Sequence, residues 1–543
     1  MDSLTFLVVN GCNARGRPLP DELLSGYFFH GADFVLGKAG YAAFRAAGGP
    51  APLAEDGCYI HALREGDGYR FAADYCGYRK IFYIHSPGFW AVSNSLWQIA
   101  RAMRAAGLEP RPDPVELAAM EAEGTLIPTG RGMFFSQLTT FRTVIEGVRL
   151  LPRDSALRIG PGGATELPLP PRPTGQDYAA TLARALGLWS ARIAGLVQAG
   201  WQLSADLTGG IDSRTVLALL MAGSGGQALF PRSNLNDRGR ADLRVAQDLC
   251  RHLGLAHNAP LPQRPPALPA PEAFAAWRDL CLGAYHPIYF PRHRLTPGIA
   301  HFGGGGGGNQ RSVYDRSVWA RLRRLGRPDR FVAARMANLR PAAQRAPYGA
   351  ALHATLARIA STAPAGMDPL LLHYREFRNR FHAGRTPQYQ LSINPLASAL
   401  LDDCAALAGP ARIETAQMFY DMLESLHPGL VERPFDKRHK AIGAARRAAL
   451  TRVTPDPLPP GRVFADWAPR PPRAQGGPGL MERMANLYAR ARPLAAQHLP
   501  ARYLAQADRE LERARKTGAF SHPNASKRVG VVAAFALFLA PDP

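Results

Sequence analysis

The chain has 543 residues, 46% hydrophobic and 20% charged, which at about 100–200 residues per domain is room for two to four domains and too much for a minimal binding module. This is the composition of a chain that folds around apolar cores, not of a disordered, collagen-like or coiled-coil one. Lys plus Arg number 65 against 43 for Asp plus Glu, a formal charge of +22; that excess keeps a nucleic-acid partner open, while the scatter of basic residues among Ala, Pro and Gly argues against one and for a general arginine-rich surface.

Only six of the basic residues are lysines, namely Lys38, Lys80, Lys437, Lys440, Lys516 and Lys527, so a close pair of them is a candidate for a particular task. The six cysteines, Cys12, Cys58, Cys76, Cys250, Cys281 and Cys404, are far apart, with neither a Cys-x-x-Cys spacing nor a Cys/His quartet. Reduced thiols and no zinc are expected. The start, Met1 to Asn10, has an acid where a signal peptide needs positive charge. No run reaches ~18 apolar residues, and Val529 to Ala540 suits a buried helix. A cytoplasmic protein with no membrane partner is expected, and a homodimer is open.

From Cys58 to Ser95 short apolar runs alternate with turn residues such as Gly66-Asp67-Gly68, predicting an antiparallel meander. A Gly/Pro-dense stretch from Gly160 to Gly175 suits a semi-rigid connector. The expected organisation is therefore a first domain over 1–160, a linker over 161–176 and a second domain over 177–543. Past the linker, helix and strand alternate: a helix over Tyr178 to Val197, a strand over Trp201 to Leu207, a helix over Ser213 to Met221, a strand over Gln227 to Phe230 and a helix over Ala241 to Leu253. Alternation of this kind predicts parallel strands, crossover helices and a ligand crevice at the strands' carboxyl ends. The remainder, roughly Pro265 to Ile299 and Val318 to Pro543, reads as mainly helical with Pro-rich breaks, the clearest from Pro455 to Pro478.

Between the first predicted strand and its helix lies Leu207-Thr208-Gly209-Gly210-Ile211-Asp212-Ser213-Arg214. A phosphate needs several backbone N–H donors converging on it; glycines allow that approach, and the positive end of the following helix favours the anion. Thr208 and Ser213 add hydroxyls, and Asp212 is placed to hold Mg²⁺. The spacing is neither that of the P-loop nor Gly-x-Gly-x-x-Gly.

The segment resembles the pyrophosphate-binding loop of N-type ATP pyrophosphatases, usually Ser-Gly-Gly-x-Asp-Ser, with Thr208 keeping the first hydroxyl. Other stretches are similar to the asparagine synthetase family, in matching order over most of the chain. Asp74-Tyr75-Cys76-Gly77-Tyr78-Arg79-Lys80-Ile81-Phe82-Tyr83, with Gly88 to Ser95, looks like its amino-terminal domain. Asp242 to Leu249 with Leu253-Gly254 and His257 looks like its helix before a Leu-Gly-x-x-His turn, and Asn394 to Leu401 looks like its Arg-x-Pro-Phe-Leu-Asp region.

The resemblance implies an α/β protein: an Ntn-hydrolase-like α+β domain of antiparallel sheets, then a parallel-sheet adenine nucleotide α-hydrolase-like (PP-loop) domain with a helical carboxyl-terminal part. It implies an ATP-dependent ligase that adenylates a small-molecule or peptide carboxylate and couples it to an amine or ammonia. The implied ATP contacts are Leu207, Thr208, Gly209, Gly210, Ile211 and Ser213, Phe230 on the second strand, and Gly303 and Gly304 in a second loop. Asp212 is the implied Mg²⁺ ligand and catalytic group, and Lys440 or Lys437 the implied catalytic lysine.

Two departures shape the expectation. The family's glutaminase uses Cys at position 2, with its own α-amino group as base; here the position holds Asp2, and Cys12 is internal, so the glutaminase is expected to be dead and Cys12 a buried apolar thiol. The second loop, Ser-Gly-x-Gly-x-Asp-Glu in the family, is here Gly303 to Gly308 followed by Asn309-Gln310-Arg311, without an acid. It is expected to be a backbone cradle, leaving metal handling to Asp212 or Asp315. His257 is read as a capping or core residue. Other readings are a ring-closing enzyme of the β-lactam synthetase or lasso-peptide cyclase kind, a sugar-acid amidotransferase of surface polysaccharides, a tRNA-modifying PP-loop enzyme and a non-enzymatic scaffold.

Overall fold

Strand periodicity of two residues builds the first half of the chain. Along Phe82–Ser86 and Phe89–Ser93, Tyr83, Trp90 and Val92 enter one core while Phe82, Ile84, Phe89 and Ala91 enter another. The structure, a computed structural model, describes residues 5–125, 136–170, 172, 175, 177–233, 240–293, 295–296, 298–311, 343, 345–363, 367–465 and 478–540.

A five-stranded antiparallel sheet has the order Cys12–Asn13, Leu7–Val9, Phe89–Ser93, Phe82–Ser86, Arg149–Leu150. A seven-stranded sheet has the order Gly163–Pro168, Ser155–Gly160, Gly68–Ala73, Asp56–Glu65, Glu22–His30, Asp33–Leu36, Val463–Ala465, antiparallel except for the last pair. Their facing sides share a core of Val8, Ile60, Phe71, Tyr83, Trp90 and Leu157. Helix Gly37–Ala46 covers the outside of the larger sheet with Tyr41 and Phe44, and helix Leu96–Ala105 covers the smaller with Leu96, Ile99 and Met103. The result is a helix–sheet–sheet–helix stack.

The expected meander from Cys58 to Ser95 is instead two hairpins in different sheets. The crossing between them is fixed by Asp74, whose buried carboxylate accepts the N–H groups of Tyr78 (2.8 Å) and Arg79 (2.9 Å). The expected connector also begins later than residue 160. Gly160-Pro161-Gly162-Gly163 makes a hairpin turn, after which Gly163–Pro168 pairs along Ser155–Gly160 as an edge strand, where a terminal proline is tolerated.

The second half contains a four-stranded parallel sheet in the order Leu229–Arg232, Gln202–Asp206, Ile299–Phe302, Ser392–Ile393. Helix Tyr178–Gln198 is capped by Asp177, whose carboxylate accepts the Ala180 N–H at 2.7 Å. Helix Ile211–Ser224 starts two residues before the expected Ser213, and the second strand starts two residues after the expected Gln227, because Gly225, Gly226 and Ala228 all adopt positive φ in the intervening turn. From the central strand Gln202–Asp206 the chain steps to one neighbour first and returns later on the other side. The carboxyl ends of Gln202–Asp206 and Ile299–Phe302 therefore flank a topological switch point.

Helices Leu480–Ala495, Ala501–Thr517 and Pro523–Ala534 join Ala270–Cys281 and Leu96–Ala105 around one apolar cluster, with Val529, Val531 and Val532 fully buried. The Pro-rich segment through Pro455 and Pro460 is extended and lies against helix Tyr178–Gln198. Asp456 N–H donates to the Ala183 carbonyl and Gly461 N–H to that of Ala191 (both 3.1 Å), and a methyl at Gly187 would sit 2.3 Å from the Asp456 carbonyl oxygen.

One buried ion pair couples the two halves. Arg192 donates to Asp56 at 2.7 Å, and the same carboxylate accepts from Ser398 Oγ and the Ala399 N–H (both 2.9 Å) at the start of helix Ala399–Thr415. Removing one partner of such a pair leaves the other charge buried alone. Asp56→Ala is expected to lower the unfolding free energy by about 3–5 kcal/mol, and Asp56→Asn, which keeps an acceptor, by less; urea denaturation of the two variants checks the order.

Candidate functional site

The carboxyl end of Gln202–Asp206 runs straight into the glycine turn. Leu207 is buried, its N–H donating to the Arg232 carbonyl at 2.8 Å and its carbonyl accepting from Ser233 Oγ at 2.6 Å. Thr208, exposed, donates its N–H to Ser213 Oγ (3.0 Å), while Thr208 Oγ1 accepts the Gly210 N–H (3.2 Å) and lies 3.0 Å from Ser213 Oγ. Gly209 is held from both sides: its N–H donates to Asp242 Oδ1 at 2.8 Å, and its carbonyl accepts the Asp436 N–H at 3.1 Å. Gly210 is the N-cap of helix Ile211–Ser224, and no side chain caps it. The N–H groups of Ile211, Asp212 and Ser213 thus open a helix whose dipole favours an anion.

Gly303 to Gly308 closes on this turn from the neighbouring strand. Methyl groups at Gly304 and Gly307 would lie 3.2 Å from Asp212 Cβ and 2.6 Å from Asp212 Cγ. On its other side the loop packs on Asn394 and Ala397, and Gly306, at φ +89°, has Ala397 N 2.5 Å from its Cβ position. Close approach on both sides, together with that positive φ, explains the run of glycines. The loop is a packed turn ending in a short 3₁₀ segment, Gly307–Asn309, whose last carbonyl accepts two hydrogen bonds from Arg375 (2.9 and 2.7 Å).

Where an acid was absent, a base has entered. Arg311 pairs with Asp212 Oδ2 at 2.5 Å, and Asp212 Oδ1 is buried with no hydrogen-bond partner. Burial raises the Asp212 pKa, while Arg311 and then Lys440 oppose the rise by favouring the ionised form. Lys440 grips both Asp436 oxygens (2.6 and 2.9 Å). Lys440 is therefore tied through Asp436 to the Gly209 carbonyl.

Lys437 is exposed and its side chain makes no hydrogen bond or ion pair among the described residues. Phe230 lies half-buried within its strand opposite Ser204; the residue that touches the turn is Arg232, through its carbonyl. His257 Nε2 bonds Ser233 Oγ at 3.0 Å, one link behind Leu207, which is a supporting position. Asp315 and Asp2 lie outside the described residues. Cys12, expected to be buried, is half-buried and lines a cavity of about 410 Å³ with Tyr69, His85 and Trp90, remote in sequence from the glycine turn.

Several groups at the turn were not singled out from the sequence. Arg214 is fully buried, donates to the Leu430 and Arg433 carbonyls (2.8 and 2.9 Å) and to that of Pro434, and stacks 3.7 Å from the Phe435 ring. Burial pushes its pKa down to about 10. By holding Leu430 to Phe435 it places Asp436. The signal for Arg214 was its position one turn into the helix; for Asp242, its presence in a stretch that resembles the family; for Asp436, its place directly before Lys437 in the segment that holds the lysine pair; for Arg311, its place directly after the glycine run.

No protein-family model matches the chain, and no curated protein matches it.

Adjacent glycines should respond differently. A methyl at Gly209 would lie 2.7 Å from Asp436 Cβ and 3.0 Å from Asp242 Oδ1, whereas one at Gly210 would meet only Thr208 Oγ1 at 3.3 Å. Gly209→Ala is expected to cost about 1–3 kcal/mol by overpacking, and Gly210→Ala under about 1 kcal/mol, the usual loss at an N-cap; thermal unfolding of the two variants measures both.

Proposed function

We propose that the protein is an ATP-dependent, amide-forming ligase of the asparagine synthetase type. The observation that carries the reading is the convergence at one switch point of an uncapped helix start, two glycine turns, the half-satisfied Asp212 carboxylate and the Asp436–Lys440 pair. The layering of the first half supports an Ntn-hydrolase-like domain, and the four parallel strands support a PP-loop domain.

In this reading the triphosphate lies along the turn from Thr208 to Ser213, taking hydrogen bonds from the helix-opening N–H groups and the two hydroxyls. The acid's carboxylate attacks the α-phosphorus, the bond to the β-phosphate oxygen breaks, and pyrophosphate leaves along the turn. The amine then attacks the acyl carbon and AMP departs. Lys440, oriented by Asp436, supplies positive charge where the adenylate's oxygens become negative.

Magnesium fits the donor set in a limited way. Mg²⁺ keeps most of its waters and takes one or two protein carboxylates; Asp212 Oδ1 is one such oxygen, and among the described residues no group of three or more His, Cys, Asp and Glu side chains gathers that could form a cage. When bound, the ion would neutralise phosphate charge.

Asp212→Ala is expected to abolish pyrophosphate release while leaving the fold intact, measured with a panel of carboxylic acids; release at the wild-type rate would overturn the reading. Lys440→Met is expected to lower amide formation by about 10²–10³-fold, as loss of a group aimed at developing charge does, with ATP binding retained. Glutamine is not expected to serve as nitrogen donor, and ammonia produced from glutamine by the purified protein would contradict this.

A further inference from the structure

Lys440 sits on a stretch of chain that does little to hold itself in place. Between Pro434 and Ala445, Lys437, Arg438, His439, Ala441 and Gly443 to Ala445 are exposed. The turn that carries the lysine, Arg438–Lys440, is a single 3₁₀ turn, a tight form with poor hydrogen-bond geometry. Its internal bonds run from the Lys440 N–H to the Lys437 carbonyl at 3.0 Å and from the Ala441 N–H to the Arg438 carbonyl at 3.1 Å. A lysine carries its charge on a long flexible stem, so where the charge stands depends on how firmly the backbone beneath it is held.

Helix Gln417–Leu426 provides that hold, and two of its consecutive residues reach the two cation–carboxylate pairs at the glycine turn. Phe419, fully buried, lies under Arg311, whose guanidinium is 5.8 Å from the ring centre. Tyr420 is 4% exposed, and its Oη donates to the Lys440 carbonyl at 2.6 Å. The Tyr420 ring is fixed in turn: it meets the Phe435 ring at 6.2 Å, the ring on which Arg214 stacks, and Arg446 lies 4.7 Å over it. Lys440 is thus gripped at both ends, its ammonium by the two Asp436 oxygens and its carbonyl by a phenol that packing holds still.

We propose that Tyr420 is a positioning residue for Lys440: its phenol anchors the backbone of the 3₁₀ turn and so keeps the Lys440 ammonium on Asp436, whose own N–H is bonded to the Gly209 carbonyl. The catalytic consequence rests on the ligase reading, whereas the clamp on Lys440 does not. Under that reading Tyr420 acts through Lys440 alone. Its loss is felt where the lysine's charge is used, in the attack of the amine, and not in the grip on ATP, which belongs to the turn from Thr208 to Ser213.

Tyr420→Phe keeps the ring and its packing and removes only the donor, so circular dichroism is expected to match the wild type. Competitive acetylation of the full chain with acetic anhydride, read by mass spectrometry, compares Lys440 with the exposed Lys437 of the same molecule. The reagent takes the free amine, and Tyr420→Phe is expected to raise the Lys440-to-Lys437 labelling ratio about threefold or more, the effect of one lost hydrogen bond. Tyr178→Phe is the control: it removes a phenol that donates to Asp421, on the same helix, at 2.7 Å, and is expected to leave the ratio as it was. An unchanged ratio in Tyr420→Phe, or an equal rise in Tyr178→Phe, overturns the proposal. In turnover, Tyr420→Phe is expected to lower amide formation about tenfold, as a slight misplacement of a catalytic group does, with the KM for ATP and ATP–pyrophosphate exchange unchanged. Added to Lys440→Met, the same substitution is expected to have no further effect; an equal loss in both backgrounds means that the tyrosine acts elsewhere and overturns the proposal. If the labelling ratio rises as expected and the wild type releases no pyrophosphate with any acid, the ligase reading falls and the clamp on Lys440 stands.

Discussion

The peptide unit of Gly209 is held from two directions, and the candidate site is organised around that grip. Asp242, on helix Arg240–His252, takes its neighbouring N–H; Asp436, more than two hundred residues further on, donates to its carbonyl. A side chain at this position would part the two, because its first carbon would already be inside the contact radius of Asp436. Glycine here is thus dictated by what must touch the backbone, not by φ, which lies in the ordinary range. The same constraint brings Lys440 in from a distant segment without any direct bond to the turn. Arg214 completes the arrangement by anchoring the carbonyls of Leu430, Arg433 and Pro434 through one planar fork, a task lysine's single ammonium would not reproduce.

A site assembled from segments so far apart in sequence needs a rigid frame, and the two halves of the chain supply it to each other. Asp56 on the larger antiparallel sheet completes the start of helix Ala399–Thr415 in the second half, while Val463–Ala465 returns from the second half to become the edge of that sheet. The Pro-rich stretch leading to that strand has few N–H groups to satisfy, so it can lie flat on a helix, and the helix answers with glycines at Gly187 and Gly195 where the backbones nearly meet. Proline content that reads as a break in the sequence is structurally a strap.

What was legible in the sequence follows from how local its cause is. The Leu207 to Arg214 turn could be read because strand, glycines and helix are consecutive, and each signals itself through periodicity or φ freedom. The strands Ile299–Phe302 and Ser392–Ile393 are four and two residues long, too short for a period to show, and they exist because parallel neighbours supply their hydrogen bonds. The hairpins of the first half were legible as hairpins, but which sheet each joins depends on Asp74 capping the crossing, a tertiary fact. Lys437 and Lys440 were indistinguishable as a sequence pair. Only the direction of the 3₁₀ turn Arg438–Lys440 sends one toward Asp436 and leaves the other in solvent.

The exchange of an acid for Arg311 after the second glycine run changes the charge balance at the turn. Asp212 is matched by Arg311 and Asp436 by Lys440, so both of these cations are already committed to protein carboxylates. A triphosphate arriving on the ligase reading competes with Asp212 for Arg311. Because a guanidinium binds phosphate as well as carboxylate, the transfer exchanges one charge-assisted contact for another, and it releases the second Asp212 oxygen at the moment the phosphates arrive. In the protein as it stands, the arginine keeps a partly buried carboxylate compensated.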